Sequence, residues 1–460
     1  MVSSSDSDVP SQDAVLRKVA KRLIPFIAIL YAFNILDRTN IGIASLTMKP
    51  DLGFSDTVYG IGAGMFFIGY FFFEAPSNLI LEKVGARIWI ARIMFTWGAI
   101  SAAMLFVTNP FWFYTMRFLL GVAEAGFYPG MILYLTYWFP TAQRAQAVAR
   151  FVAVSAIVGV VGGPISGALL GLDGIGNLKG WQWVFLLEGI PSCLLGFVVL
   201  YYMTDRPEKA HWLSDPERNW LIGRLAQERQ HRDKQHGLSL LQALQSPAIL
   251  HFCAIFFLYV SAGYGLGFFT PQIFKALTTW SSQTISLVVA LPGLAGAVAM
   301  LLSAAHSDKT CERKYHVAFG AGLGAVGIAI AALSGNPYLT IAALVVFSIG
   351  SGICQGPFWA MPTSMLSGAA AAGGIAFINS VGNLGGFAGP FAMGWLKDKT
   401  QSYQAGLFVL AALMVGASIL AMLARHSPED ERAAAARGVR TDGEGMPLVD
   451  EAMPTLPSGA

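Results

Sequence analysis

The chain has 460 residues, of which 55% are hydrophobic and only 12% are charged, and its formal net charge is +3. A soluble globular protein carries roughly 25% charged residues, so this composition excludes a single soluble core of this size. The small net charge gives no support for nucleic-acid binding. Composition therefore predicts an integral membrane protein whose surroundings are the lipid bilayer.

Twelve apolar segments recur along the chain, each near the roughly 20 residues that a membrane-spanning helix needs. The first six are Leu23–Met48, Val58–Leu81, Ile88–Val107, Phe111–Phe139, Ala145–Leu170 and Trp183–Met203. The second six are Ala248–Phe274, Thr284–Ser303, Val317–Ser334, Tyr338–Met361, Gly373–Leu396 and Gly406–Ala424. The sequence therefore predicts an all-α membrane protein with two six-helix halves, at residues 23–203 and 247–424.

Three polar regions flank these halves: residues 1–22, the central loop 204–246 and the tail 425–460, whose Ala-, Pro- and Gly-rich composition predicts disorder. Lys and Arg residues are concentrated on the cytoplasmic side of membrane proteins. With the N-terminus inside, the predicted helices place 23 of the 30 Lys and Arg residues on that side and five on the other. We therefore expect both termini to be cytoplasmic.

Six ionisable side chains fall inside the predicted helices: Asp37, Arg38, Glu74, Arg117, Glu124 and Glu188. A charge in hydrocarbon costs at least ~2.5–3.5 kcal/mol, and such residues usually serve function. Asp37, Arg38 and Glu124 lie about halfway along helices 1 and 4, and Arg117 precedes Glu124 by two helical turns on the same face. The alternative interpretation is a set of static ion pairs holding helices 1 and 4 together.

Two short turns between helices carry similar charges, which suggests an internal repeat. The turn after helix 2 contains Glu82, Lys83 and Arg87, and the turn after helix 8 contains Asp308, Lys309 and Arg313. We expect these six residues to form helix-end contacts that stabilise one gate.

The first turn is a degenerate form of the signature of the major facilitator superfamily, which the chain resembles from about residue 22 to residue 424. Three stretches resemble its anion:cation symporter branch: Leu36-Asp37-Arg38-Thr39-Asn40-Ile41, the run from Arg117 to Gly130, and the run from Asn379 to Gly386. Residues 180–189 and 372–376 resemble bacterial tartrate-type transporters. The resemblance implies a major facilitator fold in a bacterial inner membrane, with helices 1 and 4 lining a central cavity.

By this resemblance we expect a proton-coupled symporter that imports a small organic acid anion. Arg38 is the candidate for the substrate carboxylate, because a guanidinium matches a carboxylate in shape and charge. Asp37 and Glu124 are the candidate proton carriers, as the branch implies at these positions. Arg117 is a further substrate-site candidate that would pair with Glu124 in one state and release it in another.

Neutral polar residues are the candidates for specificity in the second half. They are Tyr264, Gln355, Trp359, Asn379 and Asn383, with Tyr70 from helix 2 added by resemblance. Amide and hydroxyl groups suit the hydroxyls of a substrate such as tartrate. The aromatic rings leave open an aromatic acid of the 4-hydroxyphenylacetate or phthalate type.

Other classes of function receive less support from the sequence. We find no nucleophile–base set, metal motif or phosphate-binding loop, so we expect no catalytic residue, metal or cofactor. A sodium-coupled carrier, an exchanger or a non-transporting sensor remains an alternative, and we expect a monomer. We assign structural roles to Glu74, with Asn78 one turn away, and to Glu188.

Overall fold

The computed structural model describes residues 11–233, 246–365 and 368–424, and within these ranges the regular structure is helical. The first nine helices are α1 (Gln12–Leu52), α2 (Asp56–Val84), α3 (Ala86–Ala103), α4 (Pro110–Glu124), α5 (Phe127–Thr136), α6 (Thr141–Val152), α7 (Val154–Leu170), α8 (Gly180–Tyr202) and α9 (Asp215–Asp233). The remaining seven are α10 (Pro247–Leu277), α11 (Ser282–Thr310), α12 (Lys314–Leu333), α13 (Pro337–Met365), α14 (Gly368–Asn383), α15 (Gly385–Thr400) and α16 (Gln404–Leu423).

Eleven stretches of helix in the described ranges are long and apolar enough to cross a membrane. The twelfth predicted span, Gly373–Leu396, corresponds to the consecutive 16-residue helices α14 and α15. The predicted fourth and fifth spans are likewise each built from two helices, α4 with α5 and α6 with α7. The predicted all-α architecture of twelve spans in two halves is therefore confirmed, and the predicted tail 425–460 lies outside the described residues.

Side-chain burial follows the pattern expected of a helical bundle in lipid. Trp97, Trp138 and Trp181 are among the largest fully buried side chains. Large apolar residues such as Phe106 and Leu302 are exposed at the surface of the bundle. Since the bilayer is as apolar as these side chains, their exposure costs nothing there.

The fourth span breaks in mid-course where α4 ends at Glu124. Gly126 adopts a left-handed conformation, with φ 87°, before α5 begins. An L side chain is strained at this φ, and a Cβ there would also lie 2.3 Å from the Ser77 hydroxyl. The sequence Ala125-Gly126 therefore ends the helix and leaves the Glu124 carboxylate at a helix terminus inside the bundle.

Several hydrogen bonds between the two halves lie at one end of the bundle, which we call the closed end. The Asp398 carboxylate of α15 accepts hydrogen bonds from the backbone N–H groups of Asp56 (3.1 Å) and Thr57 (2.7 Å). It thereby supplies a negative charge at the N-terminus of α2, which the helix dipole favours. Nearby, a Cβ on Gly394 would lie 2.1 Å from the Asp56 carbonyl oxygen, so only glycine allows this approach.

Helices α1 and α10 are joined at the same end. The Lys49 ammonium donates to the Gln272 side chain at 2.5 Å and also pairs with Asp56. The Gln272 amide in turn donates to the Ser45 hydroxyl at 3.1 Å, and the Tyr59 hydroxyl donates to the Phe268 carbonyl at 3.0 Å. Apart from the Lys49–Asp56 pair, these bonds cross between the halves, so they tie the closed end through polar contacts as well as through packing.

Candidate functional site

A cavity of about 400 Å³ lies inside the bundle, mainly between α10 and α13. Thr39 of α1 and Asn383 of α14 complete its wall. The remaining lining residues are mostly apolar: Ile255, Phe256, Tyr259, Val260, Gly263, Tyr264, Gly267, Phe268, Val317, Ala321, Cys354, Gln355, Phe358, Trp359 and Ala417. The second half therefore supplies nearly all of the wall.

One face of α10 forms the longest part of this wall. Phe256, Val260, Tyr264 and Phe268 all line the cavity and follow one another at intervals of four residues. Residues spaced by three or four positions share a helix face, which explains why this stripe points inward as a unit. This stripe gives the cavity an aromatic surface, with the phenol group of Tyr264 near the middle of the stripe.

Arg38 and Glu124 form an ion pair between α1 and α4. Neither residue lines the cavity, but Thr39, next to Arg38 in the chain, does. The Arg38 Nε donates to Glu124 Oε1 at 3.0 Å, and Nη2 bonds the same oxygen. The Glu124 side chain is fully buried, whereas that of Arg38 keeps 16% exposure. Glu124 Oε2 has no hydrogen-bond partner in the structure. One carboxylate oxygen therefore remains available for a proton or for another donor.

Aromatic rings surround the Arg38 guanidinium. Its Cζ lies 5.1 Å from the ring centroids of both Phe66 and Tyr70 on α2, within the range of a cation–π contact. Tyr70 is only 2% exposed and is not part of the cavity wall. It therefore contacts Arg38 in this state, rather than offering its hydroxyl to the cavity as we expected.

Asp37 points away from Arg38, into the packing of α1 against α3 and α8. Its carboxylate accepts hydrogen bonds from the Trp97 indole (2.8 Å), the Ser101 hydroxyl (2.7 Å) and the Ser192 hydroxyl (2.9 Å). The side chain is fully buried. Asp37 therefore does not face the same site as Arg38 and Glu124, because consecutive helical residues point about 100° apart. Its role as a proton carrier stays a prediction.

Arg117 also lies outside the group formed by Arg38 and Glu124. Its guanidinium donates to the backbone carbonyls of Gly62 (3.4 Å) and Ala63 (3.2 Å) on α2, and the side chain is fully buried. In this state Arg117 makes no ion pair with Glu124, so the predicted exchange between a paired and a released state stays a prediction. Arg117 is absent from the cavity wall, and in this state its contacts fasten α4 to α2.

Four of the five candidates in the second half line the cavity: Tyr264, Gln355, Trp359 and Asn383. Asn379, the fifth, does not. Its amide donates to Glu74 Oε1 at 3.0 Å, while Ser380 donates to Glu74 Oε2 at 2.5 Å. The expected substrate contact of Asn379 is therefore replaced by a bridge between α2 and α14. The neighbouring Asn78 donates to the Glu74 carbonyl.

The charged turns make contacts within each half. The Arg87 backbone N–H and guanidinium bond Asp205 (2.9 Å) and the Leu200 carbonyl (3.4 Å). Arg313 pairs with Asp308 at 2.6 Å. Among the contacts described for these turns, none joins the two halves.

Glu82, Lys83 and Lys309 are exposed at the surface. The expected helix-end contacts are thus present for Arg87, Asp308 and Arg313. A role of these turns in a gate stays a prediction.

Sequence reasoning missed several residues around the cavity. Tyr259 lines it, and its hydroxyl lies 2.8 Å from that of Ser351. Thr39, next to Arg38 in sequence, lines it too. The four-residue stripe on α10 was a usable signal for the aromatic wall, whereas no pattern in the sequence distinguishes the inward-facing Thr39 from its neighbours.

Comparison with known proteins agrees with this architecture. The sequence pattern of the Major Facilitator Superfamily matches residues 27–390. A protein of Agrobacterium vitis named "Putative tartrate transporter" is 51% identical over 417 residues, covering 90% of this chain and 96% of that protein. A "Quinolone resistance transporter" of Acinetobacter baumannii is 40% identical, covering 88% of this chain and 94% of that protein.

Solved structures show the same fold. A bacterial homologue of the human lysosomal transporter Spinster, in an inward-facing and unoccupied conformation, aligns with a TM-score of 0.71 at 16% identity, over 90% of this chain and 96% of that chain. A D-xylose–proton symporter aligns with a TM-score of 0.67 at 16% identity, over 91% and 99%. The predicted family is therefore confirmed: the chain is a multi-pass membrane transporter that belongs to the major facilitator superfamily.

Proposed function

We propose that this transporter is a proton-coupled symporter that imports a small organic acid anion, such as tartrate or a related hydroxy or sugar acid, across the bacterial inner membrane. The observation that carries the proposal is the Arg38–Glu124 ion pair, buried beside an internal cavity. The Arg38 guanidinium can bind the carboxylate of a substrate. Glu124, the acid that neutralises Arg38, can bind a proton.

The ion pair explains how proton and anion are coupled. While Glu124 is ionised, it occupies Arg38 through two hydrogen bonds. A proton on Glu124 removes this competitor and frees the guanidinium for the substrate carboxylate. Proton and anion then bind together because each favours the other, which is the reciprocity that coupled transport needs.

The state of the bundle fits release to the cytoplasm. With the Lys/Arg orientation, the closed end, where Asp398 caps α2, faces the outside. The structure then corresponds to an inward-facing arrangement, in which an ionised Glu124 pairs with Arg38. Rocking of the two halves about the cavity then returns the carrier to its outward-facing state.

The remaining candidates take supporting roles in this proposal. Asp37 is a second proton carrier that acts from behind α1, and Arg117 and Tyr70 hold the α2 side of the site. The charged turns stabilise the cytoplasmic gate. The carrier works as a monomer with both termini in the cytoplasm, without metal or cofactor.

The cavity wall offers hydrogen-bond partners for the hydroxyl groups of a substrate. Gln355, Asn383 and Thr39 line the cavity with amide and hydroxyl groups, which can donate and accept hydrogen bonds. The name of the Agrobacterium vitis relative supports tartrate as the first acid to test.

An aromatic acid is the second candidate substrate. Phe256, Phe268, Phe358 and Trp359 line the cavity together with Tyr264, and such rings favour an aromatic body. The variant Gln355→Met, which keeps the length of the side chain and removes its amide, separates the two candidates. A hydroxy acid should bind more weakly, by up to about tenfold, and an aromatic acid should bind as before.

Uptake by the purified protein in liposomes tests the coupling. With an inside-alkaline proton gradient and no sodium, the parent should accumulate labelled tartrate. Glu124→Gln should lose this accumulation and keep counterflow exchange, because the neutral amide leaves Arg38 free for the anion. Glu208→Gln, an exposed acid in the central loop, is the matched control.

Three outcomes contradict the proposal. Normal accumulation by Glu124→Gln removes Glu124 from coupling. Uptake that follows a sodium gradient rather than pH favours a sodium-coupled carrier. No uptake of any hydroxy or aromatic acid, with or without a gradient, favours a sensor.

A further inference from the structure

A further buried acid, Glu188 on α8, has no part in the transport cycle proposed above. Its side chain is 2% exposed and lies behind α1, on the side away from the cavity. Oε1 is 2.7 Å from the Ser166 hydroxyl of α7, and Oε2 has no hydrogen-bond partner. Its protonation state can be read from these contacts.

The surroundings of Glu188 differ sharply from those of Asp37. Asp37 receives three hydrogen bonds, from one indole N–H and two hydroxyls, a number that suits an ionised carboxylate. Glu188 has one hydroxyl for both of its oxygens. Among the described residues no ion pair involves Glu188, since Arg38 pairs with Glu124 and Arg117 with backbone carbonyls.

The Ser166 hydroxyl has one hydrogen but two neighbours that accept hydrogen bonds. Its oxygen lies 2.7 Å from Glu188 Oε1 and 3.1 Å from the Gly162 carbonyl oxygen. If Glu188 is a neutral acid, its O–H donates to Ser166, and Ser166 donates to Gly162, so both contacts are satisfied. If Glu188 is ionised, a buried charge has only neutral donors, and Ser166 must give up its bond to the Gly162 carbonyl to serve it, which is costly in the membrane.

Asn40 adds an independent observation at the same place. It lies on α1 one turn after Asp37, is 1% exposed, and both its amide nitrogen and its amide oxygen lack a hydrogen-bond partner. The side chain is adjacent to the Glu188 carboxyl group. With the O–H of the neutral acid directed at Ser166, Oε2 is the carbonyl oxygen, and the Asn40 amide is the donor within reach of the carboxyl group.

We propose that Glu188 is a fixed proton site: it holds a proton that is not transported, even in the state in which Glu124 and Asp37 are ionised. The inference rests on the proposed function only for what it says about transport. Its consequence there is that the carriers are Asp37 and Glu124 alone, so at most two protons move with each anion. Its consequence for the fold is that only one negative charge lies between α1, α3 and α8.

Infrared spectroscopy of the purified full-length protein tests the protonation state without any transport. The difference spectrum of the parent minus Glu188→Gln, near neutral pH, should contain the carbonyl band of a protonated carboxylic acid. The same difference for Asp37→Asn and for Glu124→Gln should lack it. If Glu188→Gln fails to fold, Ser166→Ala serves instead, because loss of the acceptor should shift the frequency of the band.

Two spectroscopic outcomes overturn the proposal. If the band is absent from the difference for Glu188→Gln at neutral pH, Glu188 is ionised. If the band is present in sodium-free buffer and disappears when sodium chloride replaces potassium chloride, the pocket holds a sodium ion in place of the proton.

Transport provides a separate check on whether the proton is fixed. In Glu188→Gln the amide N–H can donate to Ser166 as the acid does, so the melting temperature and the number of protons taken up per substrate should match the parent. A lower proton number in this variant overturns the assignment. If the parent itself shows no proton-driven uptake, the proposed function fails, while the infrared result still decides the state of Glu188.

Discussion

Asp37 and Arg38 are adjacent in the sequence, yet their side chains serve different packings of α1. Arg38 reaches α4 and pairs with Glu124, whereas Asp37 turns toward α3 and α8 and is held by Trp97 and two serines. Helix α1 thus separates the Arg38–Glu124 ion pair on one side from the Asp37 carboxylate on its other side. A proton on Asp37 can influence Arg38 only through α1 itself or through the electric field.

Replacing Arg38 by Lys should weaken substrate binding by at least about tenfold, because an ammonium cannot reproduce the fork of a guanidinium facing a carboxylate. The effect should appear in the dissociation constant for tartrate, measured by calorimetry on the purified protein, while the melting temperature changes little. Arg17→Lys, at an exposed site on α1, is the matched control. Unchanged affinity in Arg38→Lys would show that the anion binds elsewhere.

The same replacement at Arg117 should act on stability instead. Arg117 is fully buried and donates to the Gly62 and Ala63 carbonyls, and losing such hydrogen bonds from a charged group costs about 1.5–3 kcal/mol. Arg117→Lys should therefore melt at a lower temperature and bind substrate with parental affinity where it folds. Weaker binding with unchanged melting would restore Arg117 to the substrate site.

The architecture could be predicted because hydropathy and the Lys/Arg distribution are properties of single segments. The grouping of side chains could not, because it depends on how each helix is rotated. Asp37 and Asn379 were assigned to the site for their chemistry, and both proved to contact neighbouring helices instead. Tyr264 was found by its chemistry alone, whereas the regular spacing on α10 would also have indicated Phe256, Val260 and Phe268.

Gly394→Ala should weaken the closed end. The added methyl group would overlap the Asp56 carbonyl, and such overpacking costs about 1–3 kcal/mol, a cost that disappears when α2 and α15 separate. Spin labels at Ile175 and Lys399, in a background without the native cysteines, should therefore report a larger population of long distances than in the parent.

Gly335→Ala is the control for this experiment, because nothing lies within 4 Å of the position its Cβ would take. It should leave the distance distribution unchanged. Equal distributions for Gly394→Ala and the parent would mean that α2 and α15 adjust locally, without opening of the closed end.

Glu217 links the start of α9 to the first turns of α1, and this link should depend on pH. Its carboxylate accepts from the Lys18 ammonium at 2.6 Å and from the Ser214 backbone N–H at 2.8 Å. These two contacts, that with Lys18 first, lower the pKa of Glu217. The ionised form is therefore favoured by folding, and the stabilisation is present near neutral pH and is lost as the pH falls through the lowered pKa.

Two variants separate the charge from the helix cap. Glu217→Gln keeps an acceptor for the Ser214 N–H, as a capping box allows, and loses only the exposed ion pair, worth about 0.2–1 kcal/mol. Its melting temperature should lie slightly below that of the parent near neutral pH and converge with it on acidification. Glu217→Ala loses the cap as well, so it should melt lower than Glu217→Gln by an amount that does not depend on pH. A gap between parent and Glu217→Gln that persists in acid would mean that the Lys18 contact contributes no stability through charge.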